Sequence, residues 1–411
     1  MKNLIEQGLN NIELAEMHMG ALLEIRKEFA KKKPFKGMRI ALALHVTKET
    51  AVLVRTLRAG GAEVWITGCN PLSTQDDVAA ALASEGVQVF GHKGETQKEY
   101  YEFLNKVISC KPHITIDDGC DLVSEIHKNH PELIADIIGG CEETTTGILR
   151  LKSMERDGAL KYPVVAVNDN MTKHLMDNYY GTGQSTLDGV MRASNFMFAG
   201  KTVVVLGYGS CGKGLALRAD GMGASVIVCE VNPFRALQAA MDGHRVMKMR
   251  DACKYGDLFI TVTGNKAVIR AEHVRLMKEG AILANSGHFD CEIDVAEIAR
   301  EARKCKRVRP FMDEYSFSGG KKVFILGEGR LINLAAAEGH PSEVMSLSFC
   351  GQALACQFLV ENCGVLKPGL HVLSEEIDQY ISSLQLGVMG LQIDKLTPEQ
   401  KKYLDSWEEG T

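Results

Sequence analysis

The chain has 411 residues with 47 Lys and Arg against 52 Asp and Glu, a formal net charge of −5, so no electrostatic excess draws it to nucleic acid or to an anionic membrane surface. Its length exceeds what one hydrophobic core usually spans and predicts two domains with a smaller appendage. No apolar stretch is read as approaching the ~20 residues of a bilayer span, and MKNLIEQGLNNIELAEMH is amphipathic rather than a secretion signal, so a cytoplasmic location is expected.

The 12 cysteines are scattered from Cys69 to Cys363 without a CxxC pair or a Cys/His zinc spacing, which predicts reduced thiols and no metal. Lys31, Lys32 and Lys33 form the single basic run and read as a solvated helix end. Along the chain, residues 12–30 place Leu14, Met17, Ala21, Ile25 and Phe29 at helical spacing before a KKKPFKG break. MRIALALHV, EVWITG, VQVFG and HITIDDG then read as strands separated by helical segments, and YPVVAVND as a further strand. Apolar strands alternating with helices imply a parallel sheet covered on both faces. Ligands of such sheets lie outside the carboxyl ends of the strands, which selects His45, Asp117 with Asp118, the loop of DIIGGCEETTTG, and Asn168 with Asp169.

A second alternating block starts at KTVVVLGYGSCGKG and runs through SVIVCE, RVMKM, LFITVTG and AILANSG. VRPFMDEYSF and KKVFILGEGR read as short terminal strands, PSEVMSLSFCGQALACQFLVEN as a long amphipathic helix, and the tail from about Gly369 as charged and helical. Gly207, Tyr208, Gly209, Ser210, Cys211 and Gly212 form a GxGxxG between an apolar strand and a helix. There the first glycine permits the turn, the second lets backbone approach a pyrophosphate, and the third lets helix pack on strand. Glu230 ends the next strand, where a carboxylate binds a ribose 2′-hydroxyl and repels a 2′-phosphate; this favours NAD over NADP. Arg235, five positions on, is able to reach such a phosphate or to stack on adenine, and its plainer reading is a helix surface charge. Thr263, Gly264 and Asn265 end another strand of this block and are expected to line the cofactor.

ALHVTKETAVL, NPLSTQDDVAAAL, IDDGCDL, EETTTG, VNDNMTKHLMDNYYG, GYGSCGKG, NSGHFDCEID and EGRLINLAAAEGHP resemble, in that order, blocks of the S-adenosylhomocysteine hydrolases, over nearly the whole chain. The resemblance implies an α/β fold of two doubly wound parallel-sheet domains. Residues 1–182 with 341–370 would bind substrate, 183–340 would form the Rossmann NAD domain, and 371–411 a small helical segment for oligomerisation. It implies that Thr47 and Glu49 lie near adenine, and that Asp118, Glu143, Lys173, Asp177 and Asn178 surround the ribose. Thr144, Thr145 and Thr146 would contact the cofactor from the substrate domain. Ser286, Gly287, His288, Asn333 and His340 would close the site from the cofactor side, Asn178 and His340 serving both ligands. A homotetramer is implied as well.

The family's chemistry oxidises the ribose 3′-hydroxyl with bound NAD, which acidifies the C4′ proton and lets homocysteine leave; water adds at C5′ and the ketone is reduced back. The resemblance thus implies small-molecule partners, S-adenosylhomocysteine, adenosine and homocysteine, and neither nucleic acid nor membrane. Lys173 is the candidate base for the 3′-hydroxyl, a role that calls for a lowered pKa. Asp118 and His45 suit the proton movements at C4′ and C5′, Glu143 and Asp177 suit hydrogen bonds from ribose hydroxyls, and His288 suits the 3′-oxygen. Asp117 and Asp121 read as turn or capping residues.

Three positions depart from the family pattern. Thr182 follows DNYYG where many members have a cysteine, Arg235 stands where an asparagine is common, and the chain stops at Thr411 without the longer Lys/Tyr tail, like archaeal and some bacterial forms. Some relatives prefer S-inosylhomocysteine, and Glu49, an acceptor for an adenine amine, favours adenine here. A 2-hydroxy-acid dehydrogenase would leave EETTTG and VNDNMTKHLMDN without a purpose. A catalytically silent NAD-binding relative usually has altered blocks, whereas His45, Asp118, Lys173, Asp177 and His288 are all present.

Overall fold

A computed structural model describes residues 2–407; Met1 and residues 408–411, the end of the expected tail, lie outside the described residues. The first block supplies β1 (Arg39–Ala43), β2 (Glu63–Thr67), β3 (Gln88–Phe90), β4 (Ile114–Asp117), β5 (Gly139–Glu142) and β6 (Pro163–Ala166). The second supplies β7 (Thr202–Leu206), β8 (Ser225–Cys229), β9 (Arg245–Val246), β10 (Leu258–Thr261), β11 (Ile282–Asn285), β12 (Lys304–Arg309), β13 (Met312–Ser316) and β14 (Lys322–Leu326), and β15 (Gly369–His371) follows near the end.

These strands form a seven-stranded sheet of order β15-β6-β5-β4-β1-β2-β3 and an eight-stranded sheet of order β12-β13-β14-β11-β10-β7-β8-β9. Every pairing in the first is parallel. The central strands are fully buried because helices cover both faces: Ile40, Leu42, Ile114 and Ile116 pack in one cluster, Ala41, Ala43 and Val164 in the one behind it. In each sheet the strand order reverses once at the middle, between β1 and β4 and between β7 and β10, so each has a crevice where its loops diverge.

The second sheet is parallel through its centre and mixed at one edge. VRPFMDEYSF is not one strand: Phe311 turns the chain with φ +59°, and β12, β13 and β14 run antiparallel to one another at the edge. The expected helix over 12–30 is two helices, Lys2–His18 and Gly20–Lys32, broken at Met19. The break resets the buried face, so Ile12 and Ala15 are buried while Leu14 and Met17 face solvent. The tail does not begin as a helix at Gly369; β15 first adds to the edge of the first sheet beside β6, and the helix Glu375–Val388 follows.

Helix Ser342–Glu361 also corrects the reading of apolar length, because its 20 residues are long and apolar enough to cross a membrane by length and composition. Its apolar face is spent on the core of the first domain, where Phe349, Cys350, Ala353, Cys356 and Leu359 are buried. All 12 cysteines are free thiols, with Cys141 and Cys356 at 3.9 Å.

Candidate active site

The segment that joins the domains carries buried charges of both signs. Thr172–Gly181 is a π-helix that runs into the α-helix Thr182–Ser194. The wider turn brings residues at i+4 and i+5 onto the face of residue i, a geometry often found at functional sites. Lys173 Nζ accordingly lies 2.6 Å from Asp177 Oδ2 and donates to Asn178 Oδ1 at 2.7 Å, and it is 3.7 Å from Glu143 Oε1. Lys173, Asp177 and Glu143 are all buried.

Burial opposes the charge on Lys173, but Asp177 and Glu143 outweigh it, and its pKa is raised above the ordinary lysine value. The lowered pKa expected of Lys173 is therefore not what this site produces: two buried carboxylates hold the proton on. Glu143 is pushed up to about 7, by burial first, with Lys173 pulling the other way. It accepts hydrogen bonds from Ser348 Oγ and from Gln352 Nε2 at 2.5 Å, both on the helix Ser342–Glu361. Asp177 is held below the usual carboxylate range: burial opposes ionisation, and His340 and Lys173 overcome it. His340 Nδ1 lies 2.5 Å from Asp177 Oδ1, and its Nε2 lies 3.3 Å from Thr182 Oγ1.

A second cluster stands at the switch point of the first sheet. His45 follows β1 and Asp118 follows β4, with His45 Nε2 3.4 Å from Asp118 Oδ2. His288, from the loop after β11 of the other domain, places Nδ1 3.5 Å from Asp118 Oδ1. Cys69 completes a triangle: its Sγ is 3.2 Å from His45 Nδ1 and donates to Asp118 Oδ2 at 3.7 Å. Burial pulls His45 down to about 4, against the attraction of Asp118, so the ring is neutral at ordinary pH. Burial and Asp118 push the Cys69 thiol up. Cys69 escaped the sequence reading because it belongs to no recognised pattern; its position just past β2, beside the switch point, was the available signal.

Asp117 accepts the backbone N–H groups of Asp118 and Val123 at 3.0 and 2.9 Å, a turn role as read from sequence. Asp121 instead pairs with Arg150 at 2.7 Å and accepts from Tyr100 Oη at 2.9 Å.

The cofactor motif meets the demands of a dinucleotide on its own geometry. Gly207 has φ +108°, and a Cβ on Gly212 would come within 2.1 Å of the Gly207 carbonyl oxygen, whereas one on Gly209 would meet nothing closer than Arg235 Nη1 at 3.7 Å. The backbone is thus closed under the turn and open above its second glycine, at the start of the helix Ser210–Gly221. Glu230 accepts the N–H groups of Tyr208, Val231 and Asn232 at 2.7–2.9 Å, which fixes a carboxylate at the end of β8. The loop after β10 is tied by Glu292, which accepts from Thr263 N and Gly264 N at 2.9 and 2.8 Å. The Cβ position of Gly264 lies 3.8 Å from Thr146 Oγ1 of the other domain. Ser286 Oγ lies 2.6 Å from Thr186 Oγ1. Asn333 Oδ1 is buried with no hydrogen-bond partner among the described residues, while its Nδ2 donates to Ser185; that oxygen is free for a carboxamide N–H.

One continuous cavity of about 960 Å³ joins both clusters to this groove. Its walls include His45, Thr47, Glu49, Asp118, Glu143, Thr144, Thr145, Thr146, Lys173, Asp177, Asn178, Arg235, Asn265, Gly287, His288, Asn333 and His340. Of the residues that the glycine-rich motif and the family resemblance assign to substrate or cofactor, Gly212 alone is absent from the walls, because it packs beneath Gly207; Asp117, Asn168 and Asp169, selected by their place at strand ends, are absent as well, Asn168 accepting instead from Asn178 Nδ2 at 3.1 Å. Thr47 caps the helix Lys48–Ala59, and Glu49 in its first turn accepts from Ser342 Oγ at 2.7 Å. Leu334, Met345 and Phe349 give this end an apolar lining. His174, also on the wall, was missed; it lies 2.9 Å from Ser210 Oγ and so joins the π-helix to the glycine-rich turn.

Residues 2–132 match the family described as S-adenosyl-L-homocysteine hydrolase, and residues 178–339 match S-adenosyl-L-homocysteine hydrolase, NAD binding domain. The chain is 58% identical over 409 residues to the S-inosyl-L-homocysteine hydrolase of Methanocaldococcus jannaschii, covering 100% of this chain and 98% of that one. It is 56% identical over 410 residues to the adenosylhomocysteinase of Thermosynechococcus vestitus, with coverage of 100% and 96%. The adenosylhomocysteinase of Sulfurisphaera tokodaii is 54% identical over 409 residues, with coverage of 100% and 98%. Among solved structures, a dipicolinate synthase polypeptide from Bacillus halodurans shares the fold, with TM-score 0.50 and 13% identity over 80% of this chain and 99% of that one. The chain belongs to the S-adenosyl-L-homocysteine hydrolase family and carries the family's NAD-binding domain.

Proposed function

We propose that this chain catalyses the reversible hydrolysis of S-adenosyl-L-homocysteine to adenosine and L-homocysteine, with NAD retained through the cycle. The observation that carries the reading is the single cavity shared by a dinucleotide groove and two clusters of buried titratable groups. Residues 1–182 with 341–370 serve the substrate and 183–340 the cofactor. Gly207 to Ser210, Glu230, Thr263, Gly264, Thr146 and Asn333 would hold the cofactor, and NAD when bound supplies reversible hydride removal at the ribose 3′-carbon.

The remaining chemistry falls to the chain's own side chains. Lys173 enters as a cation that holds the 3′-oxygen and steadies negative charge on it. Glu143, near neutrality and 3.7 Å away, is the member of that cluster poised to exchange the proton. Asp118 and His45, both on the cavity wall, handle the protons at C4′ and C5′, the neutral His45 ring able to take or give a proton and Cys69 packed against both. Glu49, an acceptor already fixed by Ser342, suits the adenine amine. S-inosyl-L-homocysteine is a second reading, favoured by the 58% identity to the S-inosyl-L-homocysteine hydrolase of Methanocaldococcus jannaschii.

The same reading carries a cytoplasmic homotetramer in the methyl cycle, without nucleic-acid or membrane partners. Its support in the chain is the exposure of Leu391, Ile393, Leu396, Tyr403, Leu404 and Trp407 near the C-terminus, a patch suited to burial by other copies.

Anaerobic absorbance at 340 nm, before and after S-adenosylhomocysteine is added, with thiol and purine products quantified, tests the reading. The expected result is adenosine and homocysteine over many turnovers with a substoichiometric, protein-bound signal at 340 nm. Reduced cofactor accumulating in solution would make the protein a simple dehydrogenase, and an NAD-loaded protein giving neither product nor signal would point to a silent binder or to another purine substrate, which S-inosylhomocysteine in the same assay distinguishes.

A further inference from the structure

The C-terminal helix Glu375–Val388 is docked on its own chain, with Ile377, Ile381 and Leu384 in the core of the first domain. A Cβ on Gly20 would come within 2.6 Å of Val388 Cγ1, so the two chain ends are in contact. One carboxylate of this helix is buried. Asp378 is 5% exposed, and its carboxylate is spent on three consecutive residues some two hundred positions away in sequence. Oδ1 accepts from Thr172 N at 2.9 Å and from Thr172 Oγ1. Oδ2 accepts from Met171 N at 2.9 Å and from Asn170 Nδ2 at 3.3 Å.

Those residues open the π-helix, and Lys173 comes next. A helix start leaves unpaired N–H groups and a partial positive charge, which a buried carboxylate satisfies on both counts. Thr172–Gly181 lacks any side-chain cap from its own preceding residue, so the cap comes from Asp378. The opposite side of this start is fixed by Asn170, whose carbonyl accepts from Lys173 N at 3.1 Å and His174 N at 2.7 Å. We infer that Asp378 is a positioning residue for the reaction: by capping the π-helix from the C-terminal helix it sets where Lys173, Asp177 and Asn178 stand in the cavity. This rests on the functional reading above, and it gives the C-terminal segment a task within its own fold.

Asp378→Asn and Asp378→Ala, in the full-length NAD-loaded protein, test this with two readouts. Hydrogen–deuterium exchange needs no turnover: the peptide spanning residues 168–181 should exchange faster in both variants, with peptides of β7 to β11 unchanged. In turnover, kcat should fall by about tenfold or more in the alanine variant and less in the asparagine variant, with KM and NAD content held within about threefold. The pH dependence of kcat should also shift, because Lys173 and Glu143 no longer face each other as before. Unchanged exchange over 168–181 would overturn the inference, as would faster exchange there with kcat and its pH profile unaltered. Should the wild-type protein fail to hydrolyse S-adenosylhomocysteine, the functional reading falls, and the exchange result still reports on the cap.

Discussion

His288 of the second domain rests on the backbone of Gly119 in the first: a Cβ at Gly119 would come within 2.3 Å of His288 Nε2. Gly119 also holds φ at +108°, a value that L side chains rarely adopt. The residue after Asp118 must therefore be glycine for two reasons, one of backbone and one of contact across the domains. Gly119→Ala is expected to destabilise the fold by about 1–3 kcal/mol and to push His288 off Asp118, lowering kcat by about a hundredfold. Steady-state kinetics with a denaturant titration check this, and wild-type kcat in the alanine variant would show that His288 need not sit where it does.

Lys173 neutralises two buried carboxylates, so its removal has a structural and a chemical consequence. Lys173→Met leaves Glu143 without its cation and Asp177 with His340 alone, and losing one partner of a buried pair costs about 3–5 kcal/mol. Glu143 softens the loss by taking up a proton, since it already sits at about 7. The expected outcome is a folded protein of lowered denaturant midpoint that binds NAD and forms no 340-nm signal with substrate. Rapid formation of that signal in the variant would remove Lys173 from the oxidation step.

His45 sets an acid limit on stability. Its ring takes up a proton near 6.5 in the unfolded chain and only near 4 in the fold, where burial disfavours the charge. Between those values the unfolded state binds more protons, so stability present at pH 7 is lost as the pH falls from about 6.5 to 4. The gap is worth at most roughly 3 kcal/mol. Unfolding free energies measured at pH 7 and pH 5 should show a drop in the wild type that His45→Gln reduces by about 2 kcal/mol. Equal drops in both proteins would assign the acid sensitivity elsewhere.

Much of this arrangement was legible in the sequence, for identifiable reasons. Strands buried on both faces read as unbroken apolar runs, and residues at their carboxyl ends converge by the geometry of a parallel sheet, which located His45, Asp118 and Thr263. The GxGxxG located its groove because each glycine has a steric task that the structure bears out. What stayed hidden depends on long-range packing. Cys69, Ser348, Gln352 and Asp378 act through partners far away in sequence, and no local pattern marks them. The π-helix was hidden as well, since Lys173 and Asp177 fit an α-helical pair equally well, and the wider turn shows in backbone pairing at i+5, as from Thr182 N–H to the Asp177 carbonyl. The charge state of Lys173 depends on Glu143 arriving from another strand, so the expected lowered pKa was wrong in sign.

The choice of purine turns on Glu49. Its carboxylate is 2% exposed and lines the cavity; Oε1 accepts from Ser342 Oγ and lies 3.4 Å from Lys48 Nζ, so Oε2 is the oxygen left to accept from a ligand. An adenine amine donates to such a group, whereas a hypoxanthine oxygen at the same place meets it acceptor to acceptor. Glu49→Gln exchanges half of that acceptor capacity for an amide donor of nearly the same shape. The variant should lose one to two orders of magnitude in kcat/KM for S-adenosylhomocysteine and gain or hold for S-inosylhomocysteine, because an unpaired buried polar group is what discriminates. Competition between the two substrates, read as the ratio of adenosine to inosine released, measures the change directly. A ratio that favours inosine already in the wild-type protein would overturn the assignment of Glu49 as an acceptor for the adenine amine, and a ratio unmoved by Glu49→Gln would place recognition of the base away from this helix.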